Sequence, residues 1–259
     1  MPRLLRAHLG FVFLFLYAPI FTLMILSFNK AGLPTVWTGA SLDWYSRLLH
    51  SPDILGAARN SLVVALASTL IATVLGTSLA LGVERRPVSA AADALLFAPM
   101  IIPDVVLAIA LLSFFTLLNL TLGLHSIILA HVVFNIAFVC AVVRARLKNF
   151  DWSLLEVSAD LGAGALTTFL RVTLPLIAPA VLAAALLAFT LSVDEFIIAY
   201  FTAGAGRSST TLPMKIYAMI RFGVTPEINA MATIVMLLSF TLVLMSQRLE
   251  RGLLPGRKS

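Results

Sequence analysis

The stretch that decides the fold reads Glu156-Val157-Ser158-Ala159-Asp160-Leu161-Gly162-Ala163, then Phe169-Leu170-Arg171-Val172, then Leu174-Pro175-Leu176-Ile177-Ala178-Pro179. Asp151 or Ser153 can cap a short helix with Glu156 in its first turn, where the helix dipole favours a carboxylate. Gly162 has the φ freedom that ends this helix, and either threonine of residues 167–168 can cap the next one. The pattern predicts two short helices joined by a glycine turn, with two prolines at the start of the following apolar segment.

The rest of the chain is more apolar than a soluble domain. Of its 259 residues, 60% are hydrophobic and 12% are charged, and the mean hydropathy is +1.02, whereas soluble domains are roughly 45–50% apolar. The apolar residues form runs that can cross a bilayer, which takes about 20 residues per helix. Because backbone polar groups in lipid must be paired within the segment, these runs should be helices. The sequence predicts an all-α integral membrane protein, one domain over residues 1–259, with six transmembrane helices at 9–28, 61–83, 95–118, 126–143, 176–201 and 230–245.

Basic residues concentrate in alternate connections between these spans. With the N-terminus inside, twelve of the 18 Lys and Arg residues fall in cytoplasmic segments and six in outer ones. This bias follows the positive-inside rule, so both termini are predicted to be cytoplasmic, and the quoted stretch lies in a cytoplasmic loop over residues 144–175. The same bias explains the net charge of +6 without a nucleic-acid partner.

The cytoplasmic loop resembles the "EAA" loop of bacterial ATP-binding-cassette (ABC) importer permeases, which docks on the cytoplasmic ATPase. An ordinary amphipathic loop is the alternative, but it would not place the glycine, the phenylalanine and both prolines at the family spacing. The resemblance implies the type I (MetI-like) fold of ABC importer permeases. It also implies that one set of loop residues couples the ATPase to the pore: Glu156, Asp160, Gly162, Ala163, Arg171 and Pro175.

Other segments narrow the resemblance to one of the two permeases of spermidine/putrescine (polyamine) importers. They are Pro103-Asp104-Val105-Val106, Ala130-His131-Val132-Val133-Phe134, the run from Ala188 to Ala199, Thr210-Thr211-Leu212-Pro213-Met214 and Pro226-Glu227-Ile228-Asn229-Ala230-Met231-Ala232-Thr233. The family homologue carries two adjacent aspartates in span five, whereas this chain has Asp194 and Glu195. The carboxylate is retained one methylene further out, so cation transport is still implied, but the exact amine is left open.

Three carboxylates lie inside the predicted spans away from their cytoplasmic ends: Asp104, Asp194 and Glu195. A charged group there costs roughly 2.5–3.5 kcal/mol on insertion scales, which makes each a functional candidate. Polyamines are polycations at pH 7, because their amines titrate near lysine, about 10.4. Ser192 and Glu195 share a helix face, while Asp194 is offset by about 100°, so one acid can line the pathway while the other holds the helix in place. Alternatively, the pair meets basic residues at an outer helix end, and Asp104 makes a structural hydrogen bond beside a kink at Pro103.

Aromatic and metal-binding residues give weaker signals. Trp44 is predicted on the outer side, where its ring face can hold an ammonium group, although interfacial anchoring explains a tryptophan there equally well. Residues 42–49 can form a small interfacial helix. His131 is interpreted as a polar residue that packs or pairs helices, since no second His or Cys lies at ligand spacing, and the single cysteine, Cys140, as a packing residue.

The resemblance also predicts the assembly. This chain would form half of a pore in the bacterial inner membrane, together with a second homologous permease, two copies of a cytoplasmic ATPase and a periplasmic polyamine-binding protein. The sequence has no phosphate-binding Gly-x-x-x-x-Gly-Lys-Ser/Thr, so the chain binds no cofactor, and ATP and Mg belong to the ATPase. The alternatives are an importer of iron(III), thiamine or opines and, more remotely, an intramembrane enzyme or receptor, for which the sequence offers no catalytic or metal constellation.

Overall fold

The computed structural model describes residues 3–32, 36–86, 88–221 and 223–252. Within these ranges the protein is helical, with one isolated β-bridge between Asn29 and Ala40 and no strand. The chain divides into two compact units, which are described separately. The first unit is Met1–Ala57 with Met214–Thr241, and the second is Ala58–Pro213 with Leu242–Ser259.

The helices follow the predicted apolar runs, with extra breaks. In chain order they are α1 (Arg3–Leu26), α2 (Asp43–His50), α3 (Pro52–Arg85), α4 (Ala90–Ile101), α5 (Asp104–Leu117), α6 (Leu124–Leu147), α7 (Ser153–Asp160), α8 (Ala165–Thr168), α9 (Leu174–Asp194), α10 (Ile197–Thr202), α11 (Leu212–Ile220) and α12 (Pro226–Gly252). A π turn at Phe169–Thr173 joins α8 to α9, and a 3₁₀ turn at Arg207–Ser209 precedes α11.

Four helices in the described ranges are long and apolar enough to cross a membrane: Leu4–Leu26, Pro52–Arg85, Leu124–Leu147 and Ala165–Asp194. A fifth span results if the bent pair α4 and α5 is counted as one. In α12 the apolar part is shorter, Pro226–Thr241. The count of six spans therefore stays a prediction. So does the cytoplasmic location of both termini, since residues 1–2 and 253–259 lie outside the described residues.

The prediction of one continuous helix over 95–118 is wrong, because α4 and α5 meet at an angle of 107°. Pro103 has no N–H to bond the carbonyl of Pro99, and a proline disfavours helical backbone in the residue before it. Ile102 accordingly adopts an extended conformation, with φ −69° and ψ 135°. The proline was read as a kink, but the structure shows a complete break.

The predicted helix over 176–201 is also interrupted. Helix α9 ends at Asp194, Glu195 is extended with φ −69° and ψ 123°, and α10 begins at Ile197. No proline or glycine lies at this break, so its cause must be a side chain, as the site geometry below explains.

The second unit is built around α6, which packs against α4, α5, α9 and α10. Small residues let the helices approach closely, as is usual in membrane bundles. At Gly76 of α3, an added Cβ would lie 2.8 Å from the Val139 side chain and 3.0 Å from the Ile136 carbonyl oxygen. Cys140 is fully buried in the same cluster, as expected of a packing residue.

The first unit contains α1, whose apolar side chains are largely exposed, and an outer segment organised by Asn29. The Asn29 amide donates to the Val36 carbonyl at 2.8 Å, and its oxygen accepts from the backbone N–H groups of Ala31 and Thr38 at 3.2 and 3.3 Å. The small helix predicted over 42–49 is present as α2.

Candidate functional site

The loop over residues 144–175 forms the predicted pair of short helices, α7 and α8, joined by a glycine turn. Gly162 has φ +80°, in the left-handed region that favours glycine. Its N–H bonds the Ala159 carbonyl at 2.8 Å, and the Ala163 N–H bonds the Ser158 carbonyl at 3.0 Å. These two bonds form a Schellman motif, which satisfies the last carbonyls of α7 and fixes the angle at which the chain leaves it.

The prediction that a threonine of 167–168 caps the second helix is wrong. Gly164 is the N-cap of α8, and both threonines lie within the helix. Thr168 instead pairs its hydroxyl with that of Ser158 at 2.8 Å, and this buried bond ties α8 to α7. The prediction that Asp151 or Ser153 is the N-cap of α7 is wrong as well: Trp152 is the N-cap, although the Asp151 carboxylate accepts from the Ser153 N–H at 3.0 Å just before the helix.

From α8 the chain continues through the π turn into α9 without leaving the helix. The Leu174 N–H bonds the Phe169 carbonyl, five residues back. This widened turn lies directly before Pro175, which has no N–H and whose ring crowds a regular helix. Pro175 is thus accommodated at the start of α9, whereas Pro179 lies inside the helix.

The loop carries five large apolar side chains that are exposed within the part of the chain that the structure describes. We call them together the loop face: Leu154, Val157, Leu161, Leu166 and Leu170. Leu161 and Leu166 are 83% and 71% exposed, and the charged side chains of Glu156, Asp160 and Arg171 are exposed beside them. An exposed apolar patch with a charged surround is typical of a protein-binding surface.

Sequence reasoning missed an ion cluster in the second unit, where α3, α4 and α6 meet. Arg144 of α6 donates to Glu84 of α3 at 3.1 Å and to Asp93 of α4, and its guanidinium lies 5.8 Å from the centre of the Phe97 ring. In the sequence these three residues lie beside predicted spans: Glu84 follows the span 61–83, Asp93 precedes the span 95–118, and Arg144 follows the span 126–143. Nearby, Arg85 lies over Trp152 at 5.6 Å and so connects α3 to the start of the loop.

The break in span five is made by Glu195. Its two carboxylate oxygens accept from the backbone N–H groups of Ile198 at 2.8 Å and Ala199 at 2.9 Å. The side chain therefore caps α10, where the helix N-terminus favours a negative charge. Its exposed fraction is 7%. Glu195 is thus a buried cap that holds the helix, the role expected of one acid of the pair.

His131 of α6 joins Glu195 to Ser192. Its Nε2 lies 3.3 Å from Glu195 Oε2, close enough for an ion pair but without the alignment of a hydrogen bond. Its Nδ1 lies 2.7 Å from Ser192 Oγ, which in turn lies 3.1 Å from Ser68 Oγ of α3. The interpretation of His131 as a polar residue that packs or pairs helices is consistent with these contacts, but the sequence could not identify its partners, which are 61 and 64 residues away.

Asp194 and Asp104 are placed differently from Glu195. Both side chains are exposed, and neither forms a salt bridge within the part of the chain that the structure describes. Asp194 is the last residue of α9, and Asp104 is the first residue of α5, just after the break at Pro103. The alternative reading, in which the span-five pair meets basic residues, fits Glu195 through His131 but not Asp194.

Trp44 belongs to the first unit and is partly buried. Its indole N–H donates to the Asn29 carbonyl at 2.8 Å, and the Arg47 guanidinium lies 4.8 Å from the centre of its ring. One face of the ring is therefore already occupied by a cation of the same chain. The geometry gives Trp44 a clear role in holding the outer segment together.

The comparisons with known proteins agree with this geometry. Residues 72–254 match the family described as "Binding-protein-dependent transport system inner membrane component". The chain is 40% identical to the spermidine/putrescine transport system permease protein PotC of Escherichia coli (strain K12), over 98% of this chain and 97% of that protein. It is 41% identical to the putrescine transport system permease protein PotI of the same strain, over 90% of this chain and 85% of that protein.

Solved structures show the same fold at low sequence identity. A bacterial ABC transporter involved in the import of the acidic polysaccharide alginate matches with a TM-score of 0.75 and 17% identity, over 96% of this chain and 95% of that one. The MetNI methionine ABC transporter, in an inward-facing conformation, matches with a TM-score of 0.58 and 19% identity, over 79% of this chain and 99% of that one.

Proposed function

The chain belongs to the family of binding-protein-dependent transport system inner membrane components, and from this premise we propose that it forms half of the pore of an ATP-driven polyamine importer. It is a transport permease and not an enzyme, since in this family the ATPase is a separate subunit. The observation that supports polyamines as the substrate is the sequence identity of 40% and 41%, over 98% and 90% of this chain, to permeases named for spermidine/putrescine and for putrescine.

The exposed carboxylates support a cationic substrate. Asp104 and Asp194 lie in apolar segments, where water is scarce and a carboxylate attracts an ammonium group more strongly than it does in bulk solvent. Each also carries the cost of placing a charge in a membrane span, which a protein retains chiefly where the charge has a function. In this proposal the two aspartates line the pathway, and Ser192 and Glu195 shape it from behind. Trp44 acts earlier, at the outer side, where it holds the segment that receives the substrate.

The loop face supports coupling to a cytoplasmic ATPase. It combines exposed leucines with the charged side chains of Glu156, Asp160 and Arg171, a composition suited to a partner groove. The Schellman turn at Gly162 and the Ser158–Thr168 bond make the two short helices one rigid piece. Because α8 runs continuously into α9, a push on the loop moves the helix that ends at Asp194. ATP-driven closure of the ATPase pair would thereby shift the pore between inward-open and outward-open states.

The full assembly follows from the same proposal. It contains a second homologous permease, two ATPase subunits that bind ATP and Mg, and a periplasmic binding protein that delivers putrescine or spermidine. The chain is a multi-pass protein of the inner membrane, and we place both termini in the cytoplasm.

The test is uptake of radiolabelled putrescine and spermidine by the complex reconstituted in vesicles, each amine supplied on its loaded binding protein. We expect ATP-dependent uptake of at least one amine and a severalfold reduction of that uptake in Asp104→Asn and Asp194→Asn. Asp43→Asn removes another exposed carboxylate, on α2, and should leave uptake unchanged. Uptake of iron(III), thiamine or an opine, with no uptake of either amine, would contradict the polyamine assignment.

A further inference from the structure

His131, Ser192 and Glu195 form a buried group that neither binds the amine directly nor takes part in ATPase coupling. The His131 side chain is 1% exposed. Among the described residues, its ring contacts the Ser192 hydroxyl and the Glu195 carboxylate, and the Ser192 hydroxyl in turn contacts that of Ser68. Such a group inside an apolar bundle is costly unless each polar atom has a partner. Its members flank the exposed Asp194, with Ser192 two residues before it and Glu195 directly after it, and this position suggests a purpose.

The imidazole ring holds the chain on both sides of Asp194. Ser192 is fixed through Nδ1 at 2.7 Å, and Glu195 is fixed through Nε2 at 3.3 Å. Between these two attachments the helix ends and the backbone turns to an extended conformation. A residue placed between two fixed points has little freedom in the direction of its side chain.

Further contacts make this arrangement stiff. Ser68 Oγ lies 3.1 Å from Ser192 Oγ and donates to the Ala65 carbonyl at 3.3 Å, so the group is anchored to α3 as well as to α6. Glu195 is held on its other side by the two N–H groups of α10. A proton on Nε2 would face the Glu195 carboxylate, and Nδ1 can then accept from the Ser192 hydroxyl, which can rotate to donate.

We propose that His131 is a positioning residue for transport: its ring fixes the break between α9 and α10 and thereby directs the carboxylate of Asp194 into the substrate pathway. This inference rests on the proposed function, because it assigns His131 a part in the same pathway. The Glu195 carboxylate bonds two backbone N–H groups of α10 while one of its oxygens remains beside the ring.

The direction of residue 194 can be measured without transport. Cys140, the single cysteine of this chain, is buried and can be replaced by alanine, and Asp194→Cys then provides one thiol at the position of interest. The probe is a permanently charged alkylammonium methanethiosulfonate reagent applied to the assembled complex in membranes. The labelling rate of this chain reports how well residue 194 faces the aqueous pathway.

We expect His131→Leu to lower this labelling rate severalfold, because the turn can then adopt orientations that hide residue 194. His131→Gln can still bond Ser192 and Glu195 and should restore most of the rate. Ser126→Ala is the matched control. Ser126 lies on α6, like His131, and its hydroxyl donates a buried hydrogen bond of 2.7 Å to the Thr202 carbonyl, away from the turn at Glu195. Ser192→Ala, which deletes one attachment only, serves if His131→Leu does not assemble, and it should give a smaller decrease.

Uptake gives an independent readout through a double-mutant cycle. If His131 acts through Asp194, then adding His131→Leu to Asp194→Asn should reduce the residual uptake no further, whereas independent effects would add. An unchanged or faster labelling rate in His131→Leu and Ser192→Ala, or additive losses of uptake, would overturn the positioning role. Protection of the thiol by putrescine or spermidine in the parent tests the proposed function separately, so the failure of one idea can be told from the failure of the other.

Discussion

At the scale of single residues, the two neighbouring acids of span five have opposite environments. Glu195 is buried and bonded to two backbone N–H groups, while Asp194 is exposed. The sequence could identify the pair, because carboxylates in an apolar run are rare and costly. It could not tell which acid faces the pathway, because that depends on the helix ending between them. The decisive partner, His131, is 64 residues away and leaves no local pattern.

This difference predicts different failures for the two isosteric amide variants. Glu195→Gln places an amide nitrogen against backbone N–H donors and removes the charge that they stabilise. It should lower the free energy of unfolding by about 1.5–3 kcal/mol, the usual range for a hydrogen bond to a charged group. Asp194→Asn should leave stability unchanged and reduce uptake. Thermal unfolding of both variants in detergent measures this, and equal midpoints would contradict the buried cap.

At the scale of elements, the sequence predicted one local feature correctly and underestimated another. The glycine turn between α7 and α8 is present because only a residue that tolerates positive φ can form it. The break before Asp104 was underestimated, since two prolines four residues apart leave the end of α4 with little to continue it. The break at Glu195 was missed altogether, because no proline or glycine lies there: it coincides with a side-chain cap by Glu195 on α10, and Glu195 also contacts His131, 64 residues away.

The glycine turn can be tested with two neighbouring glycines. Gly162 has φ +80° and Gly164 has φ −69°, and an added Cβ would meet nothing within 4 Å at either position. Gly162→Val should therefore strain the backbone by about 1–2 kcal/mol without a clash, misplace the loop face and severely reduce uptake and substrate-stimulated ATP hydrolysis. Gly164→Val should not strain the backbone in this way, and uptake and substrate-stimulated ATP hydrolysis should stay near those of the wild type. Membrane insertion and abundance, followed by immunoblotting, should be normal in both, and full uptake by Gly162→Val would remove the coupling assignment.

At the scale of the whole molecule, composition and the distribution of basic residues predicted a polytopic helical membrane protein, and the helical architecture is confirmed. Periodicity could not predict how many apolar runs remain straight, because breaks depend on contacts made after folding. No single span predicts the proposed oligomeric assembly either. The side chains that support it are exposed in the part of the chain that the structure describes, namely the loop face and the carboxylates of Asp104 and Asp194.

Those uncovered carboxylates predict how the lone subunit behaves. Without a partner permease to enclose a watery pathway, Asp104 and Asp194 would face lipid, at a cost of roughly 2.5–3.5 kcal/mol each. We expect the subunit expressed alone to be degraded and to be rescued by co-expression of its partner. Asp104→Asn combined with Asp194→Asn should raise the abundance of the lone subunit, because a neutral amide is cheaper to place in lipid. Glu195→Gln, which alters a buried and paired carboxylate, should lower it. Pulse-chase measurements of the lone subunit decide the matter, and an equal half-life for the wild type and the double variant would mean that the two aspartates do not face an interface between permeases.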